Sequence, residues 1–502
     1  RLPGVEVAKD GSIKAQGEDV GKVLVEGKEF FDLNLSVDHK SEPELNIFSN
    51  LERTSIASPL NFLKKKDSLS IPTTIKVYNF SNPSIKVTNQ MVDLEIRGME
   101  EPQGYISLGG ALPARLSHFK KISGLNFYVN APSFNTKELN AISFKPNGNG
   151  SIRINKLAFD IESAEIFDNL ISNVSGLFSF KKSEISGDMT GKNLNARFIR
   201  DKTGFMKITL NNSTLRNLNL NFGGESKIKS NINSRLVVKN SLLGGVKIKD
   251  LDVYFLKNND VLTLNNIRLQ SNLMSISPTA GSNNAYFSMN TSKPLYKIKG
   301  DFLIKDSMKI PFVRDIADFS YFNGTLNLQW KNLSTLSNIE GETSFILKDL
   351  TVQNSLSNSL AFNLLGVLNL KNIIGKIANL DLSIDEYTST KLSRVEANML
   401  FNKSKLRLTA PLFVETNTAK MKWVGQINKD YKNSLNELDL NLDLRIRVGE
   451  NLPWYAAILG GLPAVVGSAV INKVFEEDIN DLSNYQYEIL GTISQPELRR
   501  IK

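Results

Sequence analysis

Residues able to carry covalent or metal chemistry are few in this chain. Its 502 residues include two histidines and no cysteine. His39 and His118 stand in polar, turn-like sequence with no metal-ligand spacing around either, and they read as surface residues. Without cysteine there is no thiol nucleophile, thiolate metal site or disulfide. Asp439 and Asp443 form one of many carboxylate pairs, but both fall on the polar side of an alternating strand, a spacing that solvation alone produces. There is no phosphate-binding loop, no dinucleotide fingerprint behind a strand and no Gly-x-Ser-x-Gly elbow, and Gly148-Asn149-Gly150 reads as a hairpin turn. The expectation is a protein that is no enzyme, with no catalytic residue, metal or cofactor. What remains is the chemistry of hydrocarbon against water.

The positions that could do it are apolar and regularly spaced. From Leu438 to Val448 the chain alternates without a miss. Leu438, Leu440, Leu442, Leu444, Ile446 and Val448 share one face of a strand, and Asp439, Asn441, Asp443, Arg445 and Arg447 the other. Leu326, Leu328 and Trp330 repeat the pattern upstream. Downstream, Asn451 to Asn472 carries no charge and is interrupted by Pro453, Pro463 and Gly460-Gly461. This reads as a broken apolar helical element. Trp454, Tyr455, Ile458, Leu459, Leu462, Val465, Val466, Val470 and Ile471 suit a membrane interface, or equally a hairpin plugging the end of a β-structure. Glu476-Glu477-Asp478 reads as its exit into water.

The elements that must position these residues are strands. Leu33–Val37, Leu157–Ile161, Leu218–Phe222, Leu251–Phe255, Leu262–Leu264 and Leu326–Trp330 all alternate. Gly223-Gly224, Gly244-Gly245 and Asn258-Asn259-Asp260 mark turns between them. Helical periodicity is confined to Ser355–Leu370 and a short stretch at Val313–Phe319. The fold class read from this is mostly β, a long curled antiparallel sheet forming an apolar groove, with a few helices near the C-terminus. About thirty strands spaced ~4.8 Å apart would make a ribbon of about 140 Å. The domains read are a repetitive β-groove region at 1–295, a second β region at 296–450 and an apolar helical tip with a closing strand at 451–502. A net charge of +10 is spread along the chain, and Lys64-Lys65-Lys66, its longest basic run, reads as a solvated loop, so nucleic acid is not an expected partner. Every groove leucine has a second reading as ordinary core beneath a neighbouring element.

Several motifs, in order, resemble the C-terminal region of the AsmA-like family, and within it the YhdP type. They are Phe319–Trp330, Ile339–Val352 with Asp349 where a glycine is usual, and Leu360–Leu370. Leu452-Pro453, Gly460-Gly461-Leu462-Pro463, Gly467-Ser468-Ala469 and Tyr485–Pro496, with Ile493 in place of a tryptophan, complete the set. The resemblance covers about residues 296–502, and residues 2–31 resemble the start of a TonB-dependent receptor plug, read here as strands of the same ribbon. The family resemblance implies a periplasmic protein of a Gram-negative bacterium, anchored to the inner membrane by an N-terminal helix lying outside this chain. It implies phospholipid as cargo and the inner and outer membrane surfaces as partners. The related TamB proteins imply the alternative, an elongated scaffold with outer-membrane proteins as partners.

Overall fold

The computed structural model describes residues 5–7, 12–16, 24–38, 41–57, 61–66, 68–98, 101–135, 154–166, 168–216, 232–290, 292–293, 295–310, 318–331, 338–353, 389–415, 419–430, 434–446, 484–493 and 495–501. The protein is mostly β, with thirty-one strands and three short 3-10 helices among the described residues. The expected helix at 355–370 lies outside them, as do most of Val313–Phe319 and the strand expected at Leu218–Phe222. Two compact units are formed, residues 1–226 with 239–244, and residues 227–238 with 245–502. The division between them falls near residue 240.

In the first unit, twelve strands pair each with the next. They are Asp32–Asp38, Ser41–Ser49, Thr73–Tyr78, Ser84–Thr88, Val92–Arg97, Gln103–Leu108, Leu125–Asn135, Ile154–Ile166, Asn169–Lys181, Glu184–Gly191, Leu194–Arg200 and Met206–Asn211. A sheet of this many strands twists and curls because each strand carries the same right-handed bias. The strands near the N-terminus do not join it. Val5–Val7, Ser12–Gln16, Leu24–Lys28 and Thr54–Ala57 make a separate four-stranded sheet, which corrects the reading of residues 2–31 as part of the ribbon.

Short turns join most neighbours. Asn193 and Asn259 take the left-handed conformation at φ 63° and 50°, where a small polar side chain is tolerated. Gly244-Gly245 and Asn259-Asp260 are turns, as the sequence suggests. Not every pair is antiparallel. Leu125–Asn135 runs parallel to both Gln103–Leu108 and Ile154–Ile166, and Thr214–Leu215 runs parallel to the end of Ile232–Leu243. A parallel pair requires a connection that crosses one face of the sheet. The one between Leu108 and Leu125 carries the 3-10 helix Ala114–Lys120, whose Leu116 and Phe119 pack with Tyr105, Tyr128 and Ala158. Asn126 fastens it, its Nδ2 donating to the carbonyls of Gly104, Phe119 and Ile122 at 3.1–3.2 Å.

Four long strands contain a left-handed residue away from their turns: Asn173, Asn240, Asn266 and Asp349, at φ 54°, 48°, 52° and 51°. Each interrupts the pleat, and at Asn173 the ladder steps past it, Ile161 pairing with Val174 and Ser163 with Ser172.

In the second unit, strands from Val246–Asn258 to Pro496–Arg500 follow one another in the same consecutive way. Their apolar faces merge into one buried cluster that includes Trp330, Phe345, Val395, Phe401, Leu412, Trp423, Ile427, Leu440 and Ile489. The environment is predominantly apolar, and the buried hydroxyls of Thr343 and Ser307 are hydrogen-bonded to backbone. The indole N–H groups of Trp330 and Trp423 have no hydrogen-bond partner, a cost of about 1–3 kcal/mol for each buried donor. Lys429 closes one end, its Nζ donating to the carbonyls of Ile339 at 2.8 Å and Asn402 at 2.6 Å. Burial holds its pKa below the ordinary lysine value, against the pull of Glu340.

Truncation of this core is expected to be costly. Leu440→Ala should lower the unfolding free energy by about 2–5 kcal/mol, read from urea midpoints at constant slope.

Candidate functional site

The same alternation has opposite outcomes in the two units. Of the positions expected to line a groove near the C-terminus, Leu326 is partly exposed, while Leu328 and Trp330 are buried. Leu438, Leu440, Leu442 and Leu444 are 4%, 0%, 1% and 3% exposed. They pack with Ile427, Trp423 and Met421 of the neighbouring strand and belong to the dry core. Ordinary packing, the second reading of these leucines, is the one the structure supports. Ile446 ends its strand. Val448 and the expected membrane-docking residues Trp454, Tyr455, Ile458, Leu459, Leu462, Val465, Val466, Val470 and Ile471 lie outside the described residues.

The open apolar face is in the first unit, built by register. Pairing places Leu33, Ile47, Ile75, Val87, Leu94, Ile106, Phe127, Leu157, Phe178, Gly187, Phe198 and Ile208 in one row across the twelve strands. A second row runs Leu35, Leu45, Val77, Ile85, Ile96, Gly104, Leu125 and Ile154. A third, on the other side, runs Val92, Leu108, Val129, Phe159, Gly176, Met189, Ala196 and Leu210. No position in the three rows is polar or charged. Strand spacing and rise make the strip about 50 Å long, three rows and about 13 Å wide from Val92–Arg97 to Ile154–Ile166, and two rows and about 7 Å wide toward either end.

This strip is not sealed. Its large side chains remain partly exposed along its whole length, apart from Leu125, which is buried. It is most open at its first strand, where Leu33, Leu35 and Val37 are 68%, 60% and 72% exposed. The opposite face is treated differently. The connection carrying Ala114–Lys120 lies on the side of Tyr105 and Tyr128, away from the apolar rows. There Tyr105 donates to Asp93 at 3.0 Å and Tyr128 to Asp160 at 2.7 Å, and burial together with the carboxylate pushes Tyr128 up to about 12. Lys76 pairs with Glu44, and Tyr78 and Arg97 both donate to Glu95. The polar side is thus satisfied within the protein, and the hydrocarbon side is left unfinished.

A related row in the second unit runs Phe255, Leu264, Phe287, Ile298, Leu328, Gly341, Phe401, Leu406, Ile427 and Leu438. Its first four members are partly exposed, and from Leu328 onward the large side chains are buried. Within this unit the row passes from half-open to dry at Leu328.

The remaining sequence candidates are scattered along the chain. His118 is exposed and stacks edge-on against Phe119. His39 lies outside the described residues. Asp439 is exposed and Asp443 sits 3.9 Å from Lys422, as a wet strand face requires. Of the lysine run, Lys64 and Lys66 are exposed, but Lys65 is buried, its Nζ donating to the carbonyls of Thr54 and Lys66. That corrects the reading of the whole run as a solvated loop, because a strand-edge carbonyl captures the middle side chain. Among the described residues no cluster could hold a metal ion, and no helix is long and apolar enough to cross a membrane. The chain matches no family model, no curated protein and no solved structure.

Two measurements follow. Because the chain has no cysteine, single replacements Ile75→Cys and Phe127→Cys should react with a water-soluble maleimide in the native protein. Leu412→Cys and Leu442→Cys should react at least about tenfold more slowly, protected by the core. On the polar face, burial works to raise the Glu95 pKa, and hydrogen bonds from Arg97 and Tyr78 outweigh it, leaving it below 4.5. Its contribution to stability is therefore full above pH 4.5 and is lost as pH falls through the lowered folded value. Glu95→Gln should flatten that part of the acid denaturation curve.

Proposed function

We propose that this protein carries phospholipid along the half-open apolar strip, between the inner and outer membranes of a Gram-negative envelope. The single observation behind this reading is the strip itself. A contiguous apolar surface about 50 Å long and about 7 to 13 Å wide, on a sheet whose crossing segment lies over the other face, is at the upper end of what monomeric proteins usually leave in water. Such surfaces serve as interaction sites or ligand grooves. The ordered motifs near the C-terminus that resemble the AsmA-like family favour lipid as the occupant and the periplasm as the place.

The energetics suit that cargo. Exposing the roughly thirty methylenes of a two-chain lipid to water costs about 0.8 kcal/mol each, more than ~20 in total. One leaflet's hydrocarbon is about 15 Å deep, close to the width of the strip where three rows run side by side, so acyl chains can lie on the rows while headgroups stay wet. Neighbouring positions along the rows have nearly the same chemistry, so a chain can move from one to the next without a deep trap. No bond is made or broken, and no residue acts as a catalyst. Direction must be supplied from outside the strip.

The test is transfer of a fluorescent phosphatidylethanolamine between donor and acceptor vesicles by the full chain. Phe127→Asp should cut transfer at least about tenfold while the protein stays folded, because it places a charge on the open row. Leu442→Asp should instead abolish folding, since it buries a charge in the core. A wild-type protein that neither moves this lipid nor retains any lipid by mass spectrometry sinks the proposal. Capture of unfolded outer-membrane barrel proteins in its place would favour the scaffold.

A further inference from the structure

Within the strip, the aromatic side chains are laid over glycines. Gly187 lies in register between Phe178 and Phe198, on strands either side of it. Two strand spacings would set those rings about 9.6 Å apart. Their centroids are 5.7 Å apart, so they lean toward each other over the glycine. Phe159 does the same with Gly176, its direct partner, and its ring comes within 6.0 Å of Phe178 at an interplanar angle of 22°. A Cβ on Gly176 would stand 2.4 Å from Phe159 Cζ, and one on Gly187 would stand 2.5 Å from Phe178 Cδ1. Neither glycine is among those with positive φ, so the backbone itself admits any residue. Glycine also weakens a strand that any β-former would strengthen. These two glycines are therefore explained by the space above them. All three rings remain partly exposed.

We propose that Gly176 and Gly187 set the clearance of the cargo path. They let Phe159 and Phe178 lie down against the sheet, and any side chain at either position lifts a ring into the space where acyl chains travel. This rests on the lipid-carrying reading and makes these two glycines its specificity-determining positions, although neither offers a side chain to the cargo. An alanine at Gly176 meets only the far end of the Phe159 ring, which can move without disturbing the ladder, whereas one at Gly187 also meets the Leu177 carbonyl oxygen at 2.8 Å and strains the backbone.

The experiment is the same vesicle-to-vesicle transfer of fluorescent phosphatidylethanolamine, run with the full chain and paired with thermal unfolding. Gly176→Ala should slow transfer severalfold at a near-normal midpoint, while Gly187→Ala should slow it with a lowered midpoint, because it also presses on the Leu177 carbonyl. Adding Phe159→Ala to Gly176→Ala should restore the rate, because the displaced ring is gone. Phe159→Ala alone should transfer at least as fast as the wild type. Gly176→Ala transferring at the wild-type rate would overturn the proposal. So would failure of the double variant to recover, or a loss of transfer in Phe159→Ala matching that of the glycine variants. If Gly176→Ala does not fold, the Phe159→Ala rate alone decides. A wild type without transfer activity would instead remove the reading on which the proposal stands.

Discussion

Register is the constraint on which the rest depends. Side chains alternate sides along a strand, so a slip of one residue between neighbours would send an entire apolar row to the wet face. Across twelve strands the pairings from Leu33 to Ile208 carry one unbroken apolar row, with a bulge beside it at Leu125 and Asn126, and the three rows are the result. The polar face helps hold it. Lys76 reaching diagonally to Glu44, Tyr78 reaching Glu95 and Tyr128 reaching Asp160 are contacts that the native pairing makes and a slipped strand would lose. Each is weak taken singly at an exposed site, but each would be lost together with hydrocarbon burial if a strand slid.

The two units show how one pattern serves two ends. Both present an apolar row on one side of consecutive strands. In the second unit the row beyond Leu328 closes into a dry core around Trp423, Leu412 and Leu440. In the first it stays half-open while the crossing segment with Leu116 and Phe119 covers the reverse side. A chain that needed only stability would be expected to cover the hydrocarbon and leave the charges wet. Here the crossing segment lies over Tyr105 and Tyr128, and the aliphatic rows keep their exposure.

Much of the secondary structure was legible because it is local. The alternation at Leu33–Val37 and Leu438–Leu444 identifies both strands, and Gly244-Gly245 and Asn259-Asp260 identify turns. What the alternation cannot carry is what lies opposite. Leu35 and Leu440 occupy the same kind of position in the same kind of run, yet one is 60% exposed and the other 0%. Exposure is fixed by distant parts of the chain, so the sequence pointed at the wrong end of the molecule for the open face. The parallel pairs of Leu125–Asn135 were hidden for the same reason, since strand direction depends on the path of the connection. Lys65 shows it in miniature, its neighbours solvated and its own ammonium drawn onto the Thr54 carbonyl. Gly176 carried a signal that could have been found: a lone glycine inside a strand rich in β-branched and aromatic residues marks a close approach.

Consecutive pairing also makes the length of this sheet a countable quantity. Each antiparallel hairpin returns the chain to the edge it left, with the same side of the pleat facing the same way. Gain or loss of one hairpin would therefore change the reach by about 9.6 Å and leave every other rung where it was. A protein assembled in this manner can be fitted to a wider or narrower gap by duplication and deletion alone, with no need to reinvent its lining.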